Sequence, residues 1–299
     1  MEIEEIVGPL MEQIKRLKGV ERVLLFHKDG FPIWSSGRQF TNEELMKIGM
    51  VTSQLHYLGS NLRPDEEKYV LIESRMGKIL ILPLSSEHKF FIVLVAQPNI
   101  NLGGLYQQST DIFNQIKNAL HSSGKSFKAL KPEINDTLFI EKVRKMTNSY
   151  QATDFDEKTH VLDINENLKM HFRKAYNSIE RAIRDLKHYV ITSNTGQLVS
   201  YYIKEPSITE EEIKILSLRS FYLSQFAAWA ADMLKQKKLK VDSILIDYFA
   251  SFQFINPLKN GLFIIEIGKM QQKLGLIRLI LPQFSKRLEN LLDDVYQEG

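Results

Sequence analysis

The sequence of 299 residues contains no cysteine, which excludes disulfides, a thiol nucleophile, thiolate-bound zinc and iron–sulfur clusters. Long apolar runs are also missing. The longest, ILILPL (79–84) and FFIVLVA (90–96), fall far short of the roughly 20 residues that cross a bilayer. The first ten residues, MEIEEIVGPL, are acidic where a signal peptide is basic. We therefore expect a cytoplasmic protein without an export signal.

A large excess of one charge is absent as well. The chain has 39 basic and 36 acidic side chains, a net charge of +3, and 43% hydrophobic residues, which is typical of a folded globular protein. We expect no nucleic-acid partner, because no strand carries an aromatic–basic motif. The basic run KQKKLK (235–240) suits an anionic membrane surface or, as we favour, the end of a long helix. Membrane contact is therefore expected to be peripheral and through a partner.

Motifs for catalysis or cofactor binding have no supporting context. ALHSSGKS (119–126) fits a relaxed phosphate-loop pattern, but it follows a predicted helix and runs towards Pro132, whereas a phosphate loop joins a strand to a helix. We interpret it as a coincidence. None of the seven histidines has a partner at metal-binding spacing. We predict no catalytic, cofactor-binding or metal-binding residues, and no enzyme activity.

The chain repeats one pattern twice. VLIESRMGKILILPL (70–84) aligns without gaps with ILIDYFASFQFINPL (244–258), and residues 89–108 align with residues 261–280. The helix start TNEEL (41–45) has TEEEI (209–213) as its counterpart, and each is a capping box. A series of matches in the same order indicates duplication. We predict a first domain over 1–120, a linker over 121–167 and a second domain over 168–299.

Each copy predicts the order helix, two strands, helix, three strands, helix. Short hairpin connections require antiparallel pairing, and strands that are apolar on consecutive residues need cover on both faces. The sequence therefore predicts an α+β fold: two three-layer α/β/α sandwiches, each with a five-stranded antiparallel sheet. The first strand should lie beside the fifth, and the third at the free edge. The predicted helices span 3–18, 42–58 and 102–120 in the first copy, 168–187, 210–235 and 274–296 in the second, and 138–146 in the linker.

Three stretches resemble the Roadblock/dynein light chain domain, a relative of the longin and profilin-like folds: KGVERVLLFHKDGFPI (18–33), TNEELMKIGMVTSQL (41–55) and NINLGGL (99–105). The second copy keeps the order and ends in KLGLIRL (273–279), but Asn-Thr-Gly replaces the Asp-Gly turn. The resemblance implies a non-enzymatic platform that binds or regulates a small Ras-like GTPase. The alternatives are a pure scaffold or assembly subunit without a GTPase partner, and a small-ligand sensory module.

Two sets of residues are candidates for interaction. The first set is expected to pair the domains, within one chain or in a homodimer, through the third strands and the small residues of the second helices. For those small residues, packing on the sheet of their own copy is an equal alternative. The pairing candidates are Leu71, Glu73, Gly49, Ser53, Leu245, Asp247, Ala227 and Ala231. The candidates that face a partner are Glu43, Glu44, Lys47, Glu210, Glu211 and Lys214.

Overall fold

The computed structural model describes residues 3–36, 40–62, 67–84, 89–122, 136–151, 161–204, 208–235, 240–269 and 274–297. The helices are α1 (Ile3–Lys15), α2 (Asn42–Asn61), α3 (Leu102–Ser122), α4 (Thr137–Gln151), α5 (Glu166–Ala182), α6 (Glu210–Lys235) and α7 (Leu274–Gln297). The strands are β1 (Val20–His27), β2 (Pro32–Ser35), β3 (Glu67–Ser74), β4 (Gly77–Pro83), β5 (Phe90–Ala96), β6 (Leu186–Ser193), β7 (Leu198–Ile203), β8 (Ser243–Tyr248), β9 (Ser251–Leu258) and β10 (Gly261–Gly268).

The chain divides into two compact units. Unit 1 comprises Met1–Tyr57, Lys68–Lys145 and Phe226–Asp242, and unit 2 comprises Leu58–Glu67, Met146–Gln225 and Ser243–Gly299. The C-terminal part of α6 therefore belongs to unit 1, and the last residues of α2 belong to unit 2. In each unit, a strand side chain donates a hydrogen bond to a backbone carbonyl of this terminal helix segment. Arg22 Nη1 donates to Leu234 O at 2.6 Å, and Tyr248 Oη donates to Gly59 O at 2.8 Å.

The strands of unit 1 run in the order β2-β1-β5-β4-β3, and the pairings are antiparallel. The order follows from the sequence. The hairpin β1–β2 and the meander β3–β4–β5 pair locally, and β1 joins β5 along its whole length. This confirms the predicted α+β fold and the predicted position of the first strand beside the fifth. Within this order β3 stands at the end.

Helices cover both faces of this sheet. Phe26 and Phe91 are register partners on β1 and β5, with ring centroids 5.6 Å apart, and Phe91 also contacts His56 of α2 at 5.5 Å. The opposite face carries Trp34, whose register partner is the residue before Phe26. Its indole lies against Gly8 of α1, and α1 packs against α3. Unit 1 therefore has three layers, with α2 on one face and α1 and α3 on the other.

Unit 2 repeats this arrangement, with the strand order β8-β9-β10-β6-β7 and antiparallel pairing. Helix α5 packs on α7, and both contact the sheet on one face. Tyr189 of β6 lies 5.5 Å from Tyr176 of α5, between ring centroids, and Gly261 of β10 faces Leu292 of α7. The fold of the first copy is therefore present a second time in the chain.

One predicted helix boundary is wrong. The sequence predicts a helix over about 168–187, as the counterpart of the first helix of the first copy. Helix α5 instead ends at Ala182, and Ile183 is extended with φ −118° and ψ 103°. Leu186 opens β6 and pairs with Ile267 of β10. An apolar residue suits either element, so sheet pairing decides where the helix stops.

The predicted linker, 121–167, contains the last two residues of α3 and two further described stretches. The helix predicted over 138–146 is confirmed as α4, Thr137–Gln151, which Asp136 caps by accepting a hydrogen bond from Phe139 N at 3.0 Å. Residues 161–165 lead into α5, and Leu162 N donates to Leu198 O of β7 at 2.8 Å. No helix in the described part of the chain is long and apolar enough to cross a membrane.

Candidate interaction surfaces

Capping boxes fix the start of α2 and of α6. Thr41 N donates to Glu44 Oε2 at 2.7 Å, and Glu44 N donates to Thr41 Oγ1 at 3.2 Å. Thr209 and Glu212 make the same reciprocal pair at 2.6 and 3.2 Å. Each box satisfies two backbone donors that a helix start leaves open. The predicted capping boxes are confirmed, and the exposed carboxylate of Glu44 thereby has a local structural role.

The small residues of α2 lie against the turn of their own hairpin. A Cβ on Gly49 would lie 1.9 Å from Gly30 O, so the helix backbone approaches the turn as closely as glycine permits. Gly30 itself has φ +85°. The hydroxyl of Ser53 donates to Lys28 O in the same turn. Packing within the first copy therefore accounts for Gly49 and Ser53.

Helix α6 approaches the β6–β7 turn in the same way. Ser217 stands eight residues after Thr209, as Gly49 does after Thr41, and Ser217 Oγ donates to Gly196 O at 2.9 Å. The candidates Ala227 and Ala231 lie further along α6, in the part that belongs to unit 1. Both are buried there. The equivalent of Gly49 in the second copy is thus Ser217, and the alanines occupy a different part of the helix.

The pairing candidates of β3 are a buried leucine and a paired carboxylate. Leu71 is fully buried. Glu73 Oε1 lies 3.4 Å from Lys78 Nζ on the neighbouring strand β4. The carbonyl of Glu73 accepts a hydrogen bond from Asp242 N at 2.8 Å. Since Glu73 therefore directs its carbonyl away from β4, residues of the same parity, including Leu71, direct their backbone groups to the same side of β3.

The corresponding residues of β8 have the same character. Leu245 is fully buried, and Asp247 forms an ion pair with Lys269. The ammonium group of Lys269 also donates to Tyr248 O. In each copy, the acidic residue of the third strand is therefore neutralised by a lysine from the same unit, which lowers the cost of placing it beside other chain segments.

The partner-facing candidates of α2 are tied to α4. Lys47 Nζ lies 3.2 Å from Glu43 Oε1 and 2.8 Å from Asp136 Oδ2, and it stands 5.5 Å above the ring centroid of Phe139. The hydrogen bond from Lys47, followed by that from Phe139 N, lowers the pKa of Asp136. The same bond to Asp136 is the main cause that raises the pKa of Lys47. Both groups are therefore held in their charged forms.

Helix α4 also contacts the part of α6 that belongs to unit 1. Lys142 Nζ lies 3.9 Å from the centroid of the Trp229 ring, a cation–π geometry. The ring centroids of Phe139 and Trp229 are 6.1 Å apart. We call the surface formed by Lys47 and Trp229 the α4-docking face. The sequence predicts the helix, but it carries no signal for this target, because Lys47 and Asp136 are 89 residues apart.

The partner-facing candidates of α6 are more accessible. Glu211 is exposed, and Glu210 is 57% exposed while its carboxylate lies 3.8 Å from Lys214 Nζ. The side chain of Lys214 is only 14% exposed. Glu210 and Glu211 therefore present negative charge at the start of α6, where the helix dipole favours it, and Lys214 contributes little accessible surface.

Unit 2 contains a cavity of about 340 Å³ at the start of α6. Arg219 Nη1 donates to Asn61 O at 2.8 Å, and Glu212 closes the capping box, so these charged groups already bind the protein's own backbone. The cavity is lined by Ser60, Asn61, Leu62, Ile208, Glu212, Ile215, Leu216 and Arg219. It does not present the convergent free polar groups that define a ligand pocket.

The phosphate-loop-like string and the basic run fall partly outside the described residues. These are residues 123–126 of the GKS string and residues 236–239 of the basic run. In the described part of the chain, no group of three His, Asp or Glu residues could hold a metal ion. His27 lies 3.1 Å from Asp29. Burial is the main cause that lowers the pKa of His27.

A five-stranded antiparallel order, with the first strand beside the fifth and helices on its faces, defines a layered α+β domain that is present twice. The model of the Roadblock/LC7 domain matches residues 7–96. This stretch of the chain therefore resembles a Roadblock/LC7 domain. The match covers the first copy from α1 to β5, and the second copy repeats the strand order of the first.

The chain is also similar to solved structures from three bacteria. Myxococcus xanthus MglB is 12% identical, with a TM-score of 0.38 over 45% of this chain and 96% of that one. A Roadblock/LC7 domain from Streptomyces avermitilis is 13% identical, with a TM-score of 0.34 over 40% and 99%. The gliding protein MglB of Thermus thermophilus is 10% identical, with a TM-score of 0.36 over 44% and 96%. No curated protein matches the chain.

Proposed function

We propose that this chain is a non-enzymatic, cytoplasmic interaction platform that binds or regulates a small Ras-like GTPase through paired Roadblock domains. The observation that carries the proposal is the Roadblock/LC7 match over residues 7–96, together with a second copy of the same strand order in unit 2. The two domains are proposed to span 1–120 and 168–299, joined by the linker 121–167.

The third strands and the second helices are proposed to pair the domains, within one chain or between two chains. Strands β3 and β8 each stand at the end of the strand order of their unit, and both are apolar without proline. An end strand leaves N–H and C=O groups that another strand can satisfy. The neutralised Glu73 and Asp247 remove the charge that commonly protects such an edge.

The acidic starts of α2 and α6 are proposed to face the partner. Glu43, Glu44, Glu210 and Glu211 bring negative charge to these helix starts, and complementary charge steers association and sets specificity. The chain itself is proposed to need no cofactor and to position the GTPase's own groups. Any contact with a membrane is proposed to pass through the partner.

Binding to GTPases tests this proposal. A panel of small Ras-like GTPases, each loaded with GDP or with a non-hydrolysable GTP analogue, is titrated onto the immobilised full chain. We expect at least one to bind, and Glu211→Lys to weaken that binding by about tenfold through charge reversal at the interface. The matched control is Asp111→Lys on α3 of unit 1, an exposed acidic residue outside the proposed partner-facing helix starts.

The alternative of a pure scaffold makes a different prediction in the same experiment. If no member of the panel binds in either nucleotide state, while the chain forms a defined assembly with itself, the GTPase proposal is wrong and the scaffold replaces it. Equal weakening by Glu211→Lys and Asp111→Lys contradicts the placement of the partner on α6.

A further inference from the structure

Helix α4 contacts the α4-docking face through side chains that lie on one side of the helix. Phe139 and Val143 are four residues apart, so they fall on the same side of the helix. Phe139 meets both Lys47 and Trp229, and Val143 is 4% exposed. Leu138, which lies off this stripe, is 77% exposed. The helix therefore binds the face in one defined orientation.

Charged groups strengthen the contact at two positions of α4. At the N-terminus, the Asp136 carboxylate caps α4 and at the same time receives the Lys47 ammonium group. One turn into the helix, Lys142 places its own ammonium group over the Trp229 ring. The face thus recognises a helix with a carboxylate at its cap, an aromatic residue three positions later and an apolar residue four positions after that.

The contact is shallow compared with the other helices of the fold. Among the described side chains of α4, residues 137–149, Val143 is the only buried one. Helix α7, by contrast, buries Ile277, Leu281, Leu288 and Leu292. An element with few buried apolar contacts opens at a small fraction of the global unfolding free energy. We therefore expect α4 to leave its face more readily than α7 leaves its sheet.

The docking face overlaps the surface assigned to the partner. Lys47 and Glu43 are both partner-facing candidates, and Lys47 is the residue that Asp136 engages at 2.8 Å. A partner that binds Lys47 must therefore compete with α4 for the same ammonium group.

We propose that Lys47 and Trp229 form a docking site for an amphipathic helix, that α4 occupies this site in cis, and that a small GTPase displaces α4 when it binds. The last part rests on the proposed function, whereas the docking site stands on the contacts of α4. Helix α4 thus acts as a cover of the α4-docking face.

A peptide experiment tests the docking site without any GTPase. In a released variant of the full chain, Phe139→Ala and Val143→Asp disable α4, and the matched control carries Leu138→Ala and Glu141→Ala at exposed positions of the same helix. A fluorescent peptide of residues 136–151 is titrated onto each protein. A short helix is marginal on its own in water, but this cost is the same in every titration.

We expect the peptide to bind the released variant at least tenfold more tightly than the wild type or the control. Adding Lys47→Glu to the released variant should weaken the binding of the peptide by about tenfold, because an ion pair and a cation–π contact are lost. Trp229 gives an independent signal, since Trp34→Phe removes the only other tryptophan. In that background the released variant should show a red-shifted emission.

Three results overturn the proposal. The first is equal peptide binding to the released variant and the control, and the second is peptide binding that Lys47→Glu leaves unchanged. The third is a GTPase that binds wild type and released variant with equal affinity, because a displaced cover must lower wild-type affinity. If no GTPase in the panel binds either protein, the proposed function is contradicted instead. The peptide result still decides whether the docking site exists.

Discussion

Gly49 is a residue at which the fold leaves no room for a side chain. A side chain there would collide with the backbone of Gly30 at 1.9 Å, and neither the helix nor the turn can move without disturbing the sheet. We predict that Gly49→Ala lowers the free energy of unfolding by about 1–3 kcal/mol, as overpacking commonly does. Chemical denaturation monitored by circular dichroism measures this change.

Gly275 supplies the control for that substitution. It lies in the first turn of α7, and an added Cβ would meet nothing within 4 Å. Because alanine favours helix over glycine by about 1 kcal/mol, Gly275→Ala should be neutral or stabilising. If the two substitutions have the same effect, close packing of α2 on its turn is not what requires Gly49.

Tyr189 makes the free energy of unfolding depend on pH in the alkaline range. Burial raises its pKa above the ordinary value, so the folded protein keeps the phenol proton at pH values where the unfolded chain, with a pKa of about 10, releases it. The folded state then binds more protons, and stability falls as the pH rises above about 10, by up to about 1.4 kcal/mol per pH unit from this group.

Tyr189→Phe removes this contribution. We predict that unfolding free energies of wild type and variant differ by a constant amount between pH 7 and 9, and that the wild type loses stability more steeply above pH 10. Parallel curves over the whole range contradict the assignment to Tyr189.

Secondary structure elements were predicted well where their signals are local. The capping threonines Thr41 and Thr209, the hairpin glycines and the apolar runs of β4 and β5 gave the order of elements and the place of the first strand beside the fifth. The end of α5 was missed, because Ile183 and Leu186 fit a helix and a strand equally well. Nothing local could reveal that Lys47 meets Asp136, since tertiary packing brings these distant residues together.

A proline substitution tests whether the outward edge of β3 pairs with another strand. Glu73 directs its carbonyl away from β4, and Leu71 has the same parity, so Leu71→Pro removes a donor on the side proposed for domain pairing. We predict a loss of stability, measured by denaturation, and, where the pairing is between chains, also a lower mass in solution, measured by light scattering. A variant that keeps both its mass and its stability contradicts pairing through β3.

The composition of unit 1 predicts how a truncated chain behaves. Phe226–Asp242 belong to this unit, and Arg22 holds Leu234 O within it. A fragment of residues 1–167 lacks this helix segment and leaves the apolar surface beneath it uncovered. We therefore expect the fragment to self-associate or to unfold at lower denaturant concentration than the full chain.

Light scattering and denaturation of the fragment give the answer. A monomer as stable as the full chain would show that unit 1 does not depend on residues 226–242. The same experiment on a chain with Arg22→Ala separates loss of this single hydrogen bond, expected to cost about 1 kcal/mol, from loss of the whole segment.

The central claim is that this chain binds a small Ras-like GTPase and performs no nucleotide chemistry itself. The most direct measurement is calorimetric titration of nucleotide-loaded GTPases into the full chain, combined with GTP and ATP turnover by the chain alone. The account predicts saturable binding of at least one GTPase and no turnover, with Lys125→Ala in the GKS string changing neither result. Absence of binding across the panel, or turnover that Lys125→Ala abolishes, contradicts it.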